Sequence, residues 1–262
     1  MSKTHVIAIS NQKGGVGKTL TAHNLGTNLA RQGKKVLMVD FDSQANLTMC
    51  MGYHQPDELP CTMAHIIKGL AEETFLFQKE DYILHSENCD LIPSSIQLSG
   101  IEPSLANAMS RENLLKNLLA PIKDDYNYVI VDCAPSLGLL TINALAAATS
   151  VLIPIQAHYL SAKGLELLIG TVAKVKRNIN TELTFNGILV TMHNSRLKFG
   201  KSILSDLEEA YGEHIPIYKT TIPQSVKAVE NTAQGQSLYV YDKNCKVSLA
   251  YEEFAKEVLA NG

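Results

Sequence analysis

The chain has no C-x-x-C pair. Its five cysteines, Cys50, Cys61, Cys89, Cys133 and Cys245, stand far apart, which argues against a disulfide framework and a zinc site and fits a reducing compartment. No stretch approaches the roughly 20 apolar residues that a membrane-spanning helix requires. The leading residues Met1 to His5 are too short and polar for a signal peptide, so a cytosolic protein is expected. Basic charge is scarce as well: 23 Lys and Arg stand against 26 Asp and Glu, so any contact with a polyanion has to come from a local patch. No repeat, low-complexity tract or linker interrupts the 262 residues, which suffice for one large domain over 1–262.

What is present is alternation. Short apolar runs at Val6 to Ser10, Val36 to Asp40, Tyr128 to Asp132, Val151 to Ile155 and Gly187 to Thr191 read as buried strands, with a shorter one at Cys89 to Pro93. Between them, helical periodicity covers Thr19 to Gln32, Arg111 to Leu119, Leu139 to Ala148, Ala162 to Asn178, Ile203 to Tyr211 and Val247 to Leu259. This order predicts an α/β fold with a mostly parallel twisted sheet and helices on both faces. Ala22, Gly26 and Ala30 share a face of the first helix and are small enough for close packing on the sheet. The last helix places Tyr251, Phe254 and Val258 along one side. Gln55 to Glu87 is the least regular region and reads as a surface excursion of weak helices.

Between the first strand and first helix lies Asn11-Gln12-Lys13-Gly14-Gly15-Val16-Gly17-Lys18-Thr19. A glycine-rich turn of this kind lets backbone N–H groups surround phosphate oxygens, and the helix N-terminus adds partial positive charge. Lys18 is expected to reach the β and γ phosphates of a nucleoside triphosphate, and Thr19 to offer its hydroxyl to Mg²⁺. The common P-loop pattern puts glycine at position 12, where this chain has Gln12, and a second lysine, Lys13, opens the glycine run. This is the deviant P-loop of a known class of ATPases. Gly14, Gly15, Val16, Gly17 and Leu20 complete the expected nucleotide-binding set.

Two further strands end in acids. Asp40 and Asp42 follow Val36-Leu37-Met38-Val39 and point the same way by strand alternation, at the sheet edge where ligands of open α/β folds bind. Asp40 is expected in the Mg²⁺ water shell, and Asp42 is expected to orient the water that attacks the γ-phosphate. Asp132 ends a Walker B-like run, Tyr128-Val129-Ile130-Val131-Asp132, and is expected to hold Mg²⁺ through water. The turn Ala134-Pro135-Ser136-Leu137-Gly138 follows as a γ-phosphate sensor.

These segments, with Val36 to Leu47, Asp132 to Leu145 and Tyr218-Lys219-Thr220-Thr221-Ile222-Pro223, resemble nearly end to end the ParA/Soj family of partition ATPases, in its short Soj form without an N-terminal helix-turn-helix. The resemblance implies a homodimer closed by two ATP molecules, with Lys13 of each subunit contacting the other's nucleotide. It also implies non-specific DNA binding by the dimer, and hydrolysis stimulated by a ParB-type partner. Its adenine contacts map near Met192 and Pro223, and its DNA contacts onto Arg196 and Lys227, with Lys198 and Lys201 widening the patch. Ser43, His158 and Gln224 depart from the family pattern, which has proline, glutamate and arginine there. Gln224 weakens the DNA inference most, and His158 reads as a surface residue.

A ParA-like ATPase that positions a protein cargo would share almost every motif. A MinD-like membrane ATPase is disfavoured, because Tyr251 to Val258 carries more acid than base. An iron-protein relative would need cluster cysteines in a context that Cys89 and Cys133 lack. A pure nucleotide-binding module is disfavoured by the three acids Asp40, Asp42 and Asp132.

Overall fold

Runs of apolar residues build eight strands, β1 (His5–Ile9), β2 (Val36–Phe41), β3 (Leu84–Ser86), β4 (Cys89–Ile92), β5 (Tyr128–Cys133), β6 (Ser150–Gln156), β7 (Thr184–His193) and β8 (Ile217–Pro223). The structure, a computed structural model, describes residues 4–86, 88–156, 162–194, 198–232 and 234–261. The strands form one sheet in the order β3-β4-β2-β5-β1-β6-β7-β8, parallel throughout except for the β3–β4 pair. From β1 the chain crosses to β2 on one side, and from β5 it crosses to β6 on the other, so the carboxyl ends of β1, β2 and β5 border the crevice where such sheets bind ligands.

In chain order the helices are α1 (Lys18–Arg31), α2 (Asn46–Cys50), α3 (Met63–Ala71), α4 (Lys79–Tyr82), α5 (Ile101–Ser104), α6 (Leu114–Leu119), α7 (Leu139–Ala147), α8 (Ala162–Asn178), α9 (Lys198–Tyr211), α10 (Val226–Thr232), α11 (Leu238–Asp242) and α12 (Lys246–Asn261). Strand alternation divides the interior into two cores: Val6 and Ala8 of β1 face one, Ile7 and Ile9 the other. The first core is roofed by α3 and by α5 to α9, and the second by α1, α2 and α10 to α12. The fold class is the one expected from the alternation.

The small face of α1 has a visible reason. A β-carbon on Gly26 would stand 2.4 Å from Cε of Met38, so any larger residue there would displace the end of the Met38 side chain. The apolar side of α12 is packed into the second core through Val247, Tyr251, Phe254 and Val258, with Phe254 edge-on to Tyr218 at 4.8 Å between ring centroids. No helix among the described residues is long and apolar enough to cross a membrane.

Three local expectations need correction. The region 55–87 is not merely a surface excursion: Met63, Ile66 and Ile67, at i, i+3 and i+4 on α3, are fully buried in the first core. The helix expected from Arg111 begins only at Leu114. There the Asn143 side chain donates to the Arg111 carbonyl at 2.7 Å and accepts the Leu115 N–H at 3.2 Å, standing in place of the bond those two groups would make in a helix. The expected strand at Gly187 to Thr191 extends to Thr184–His193, and a further strand, β8, pairs with it. The threonines and lysine of β8 hid it, and as an edge strand it is covered by Glu257, which accepts the Lys219 and Thr220 N–H groups at 2.9 and 3.1 Å. His158 lies outside the described residues.

Candidate nucleotide-binding site

The loop between β1 and α1 needs its glycines. Gly15 and Gly17 have φ of 73° and 86°, the left-handed region that other residues reach only at a cost, and Gly17 caps α1. Gly14 and Gly15 are exposed and Val16 is buried. The loop is tied to the sheet from both sides: Asn11 Nδ2 donates to the Pro154 carbonyl at 2.8 Å, and Thr191 Oγ1 donates to the Val16 carbonyl at 2.8 Å. Neither tie was anticipated. The sequence signal for the second is a polar residue closing an apolar run, as Thr191 does after Ile188-Leu189-Val190 within β7.

Lys18 is buried beneath this loop, with Nζ donating to the Lys13 carbonyl at 3.1 Å. Burial pulls its ammonium below the usual lysine range, while Asp132 and Asp42 pull it back up. Lys13 is half-buried, and its Nζ donates to Oε1 of Gln156 at the end of β6 at 3.3 Å. Thr19 is half-buried on the first turn of α1; Leu20, beside it, packs on the second core.

The three acids are brought together, in different states. Asp40 and Asp132 are register partners on β2 and β5, two residues beyond Met38 and Ile130, and so share the α1 face of the sheet. Both are fully buried. Asp40 Oδ2 accepts the Thr48 N–H and hydroxyl at 2.8 and 2.7 Å, and Oδ1 accepts the Asp42 N–H at 3.2 Å. Burial still raises its pKa to about 7. Neither oxygen of Asp132 has a hydrogen-bond partner of ordinary geometry among the described residues, although the Thr19 hydroxyl is near enough to favour its charged form. Burial and the neighbouring Asp40 push its pKa well up, against the opposing pull of Thr19 and Lys18. Asp42 is nearly buried and accepts the Gln44 N–H at 3.0 Å.

A buried carboxylate lacking partners, beside a threonine hydroxyl and a lysine, suits a hard divalent cation that shares its coordination with phosphate. No group of three or more His, Cys, Asp or Glu side chains placed to hold a metal by themselves occurs among the described residues.

At the far edge of the crevice, β7 and β8 bring His193 and Pro223 into register. Met192 carries φ of 51°, strain of the sort that gathers at ligand sites. His193 Nδ1 lies 3.0 Å from the Thr221 hydroxyl. The two expected adenine positions, Met192 and Pro223, thus sit side by side. Of the basic residues, Lys227 opens α10 and is ion-paired with Asp242 at the surface. Lys198 and Lys201 fall on α9 with side chains outside the described residues, as is the whole of Arg196.

The chain resembles known proteins in sequence and in fold. A family model described as an AAA domain matches residues 4–185. The sporulation initiation inhibitor protein Soj of Bacillus subtilis is 41% identical over 257 residues, covering 98% of this chain and 99% of that protein. The chromosome-partitioning ATPase Soj of Treponema pallidum is 39% identical, covering 99% of this chain and 98% of its own. Among solved structures, cobyrinic acid a,c-diamide synthase from Mycobacterium smegmatis with bound ATP analogue and magnesium superposes with a TM-score of 0.86 at 33% identity, over 99% of this chain and 95% of that one.

Proposed function

This chain belongs to the Soj/ParA family of chromosome-partitioning ATPases, and from that premise we propose that it is an ATP-operated dimerisation switch that partitions DNA. As one ATPase unit over residues 1–262, it binds ATP with Mg²⁺, pairs with a second copy, holds DNA without sequence preference while paired, and separates when it hydrolyses the nucleotide. A ParB-type protein stimulates hydrolysis, and the protein acts in the cytoplasm on the nucleoid.

The observation that carries this reading is Asp132, fully buried beside Thr19 and Lys18, with no hydrogen bond of ordinary geometry to either oxygen among the described residues. Bound Mg²⁺ neutralises charge on the β and γ phosphate oxygens. The residues of the chain do the rest. Gly14 to Gly17 direct backbone N–H groups at phosphate, Lys18 supplies a cation to the same oxygens, and Thr19 and Asp132 hold the ion. Asp42 orients the water, and Met192 and Pro223 flank the base. Lys13, whose ammonium rests on Gln156 of its own chain, crosses to the partner's nucleotide in the dimer. Because a dimer would bring two sets of the expected DNA-contacting residues Arg196, Lys198, Lys201 and Lys227 to one DNA, and each phosphate contact is displaced by salt, monomers bind DNA poorly.

Light scattering tests this. The Asp42→Ala variant, slow to hydrolyse, should double its mass in ATP and Mg²⁺ and then retard DNA of any sequence. Adding Lys13→Ala should keep ATP binding but abolish the doubling. A single-chain mass for Asp42→Ala in saturating ATP and Mg²⁺ would refute the switch.

A further inference from the structure

Thr48 has no role in the site as described so far, yet it is fully buried at the base of the turn that carries Asp42. Its N–H and its hydroxyl both donate to Asp40 Oδ2, at 2.8 and 2.7 Å, and the hydroxyl oxygen accepts the Ser94 N–H at 3.0 Å. The other Asp40 oxygen accepts the Asp42 N–H at 3.2 Å. One line of bonds therefore runs from the loop after β4, through Thr48 and Asp40, to the backbone of Asp42. The Ser94 end is itself anchored: the Pro93 carbonyl accepts the Met63 N–H at 2.8 Å, and the Ser95 and Thr62 hydroxyls meet at 2.9 Å. At the other end the turn is shaped by Ala45 at φ of 50° and by the Asp42 to Gln44 bond at 3.0 Å.

We propose that Thr48 is a positioning residue for hydrolysis: its hydroxyl holds the Asp40 carboxylate, which fixes the backbone of Asp42 and so the place where Asp42 meets the attacking water. The inference rests on the ATPase reading above. It also divides labour between the two neighbouring buried acids. Asp132, whose oxygens lack a hydrogen bond of ordinary geometry among the described residues, serves the ion; Asp40, with both oxygens engaged inside the protein, is a strut. Thr48→Val keeps the shape of the side chain and the backbone N–H bond to Asp40, but removes the hydroxyl bond to Asp40 and the acceptor that holds Ser94. A misplacement of about 1 Å at the nucleophile's partner is enough to slow the chemical step while leaving phosphate binding intact.

In the full chain, kcat for ATP should fall about tenfold or more in Thr48→Val with KM within about twofold, and Thr48→Ser should recover to within about threefold of wild type. Unchanged kcat, parallel changes in kcat and KM, or a Thr48→Ser variant as slow as Thr48→Val would overturn the proposal. Asp40→Asn, should Thr48→Val fail to fold, is expected to show the same kcat loss with an unchanged Mg²⁺ requirement; a raised requirement would make Asp40 an ion ligand and overturn it. Amide exchange over residues 42–48 gives a readout independent of turnover. It should quicken in either variant while β5 keeps its protection, and equal exchange would overturn the strut. A wild-type chain that does not hydrolyse ATP would sink the ATPase reading alone, since amide exchange still decides whether Thr48 holds the turn.

Discussion

His23 lies one turn along α1 from Thr19, is 1% exposed, and its Nδ1 has no hydrogen-bond partner among the described residues. Burial lowers its pKa from 6.5 to about 4. A base depressed in this way favours the folded state only while neutral. As pH falls below the unfolded value, the unfolded chain takes up the proton first, and stability is lost until the folded pKa is reached. The loss works out at about 2 kcal/mol at about pH 5, against about 0.1 kcal/mol at about pH 7.5. Wild type alone will not reveal it. Asp40, raised from 3.8 to about 7 by burial, runs the other way: its carboxyl is more easily kept protonated in the folded state. Acidification over the same interval therefore relieves about 2–3 kcal/mol at Asp40, a change opposite in sign to that at His23 and of the same order. The comparison of His23→Gln with wild type removes Asp40 from the difference. In thermal melts without nucleotide, the variant should gain about 4 °C relative to wild type on going from about pH 7.5 to about pH 5. A difference from wild type that changes by less than about 1 °C between the two pH values would mean that the imidazole is not held neutral, and the argument from its burial fails.

Other expectations follow from the same geometry. Gly17→Ala forces an alanine to φ of 86° and should cost about 1–2 kcal/mol in urea unfolding, whereas Gly14→Ala, whose β-carbon meets nothing within 4 Å, should change stability by less than about 0.5 kcal/mol. Wild type should melt higher in ATP with Mg²⁺ than in ATP alone, and Asp132→Asn should lose that increment; retention of it would remove Asp132 from the ion site. Lys227→Ala should weaken DNA binding for all sequences and reduce the salt slope by about one, and Asp242→Ala, by releasing Lys227 from its ion pair, should strengthen binding. An unchanged slope in Lys227→Ala would exclude a phosphate contact there.

Much of the site was legible because its chemistry is local. Lys13 to Thr19 form one contiguous turn, and Asp40 and Asp132 each end an apolar run, so spacing alone put them at the carboxyl edge of a parallel sheet. Helix α3 was missed in part because its buried face, Met63 with Ile66 and Ile67, is too short a stripe to stand out among polar neighbours. The truncated start of α6 could not be read at all, since it depends on Asn143 from a helix far along the chain.

What the linear order of residues determined was which groups are present at the crevice: a strand, a glycine turn and a helix in succession leave few other places for Lys18 and Thr19. What only the tertiary structure decided was the state of each group. Asp40 and Asp132 read alike in the sequence, both acids ending buried strands. They differ because Thr48 and the loop at Ser94 fold back onto one, while among the described residues no hydrogen bond of ordinary geometry reaches the other, beside which Thr19 and Lys18 lie. Hydrogen bonds between distant segments are set by how the chain packs, and a buried carboxylate is a strut or a ligand according to whether packing has already satisfied its oxygens.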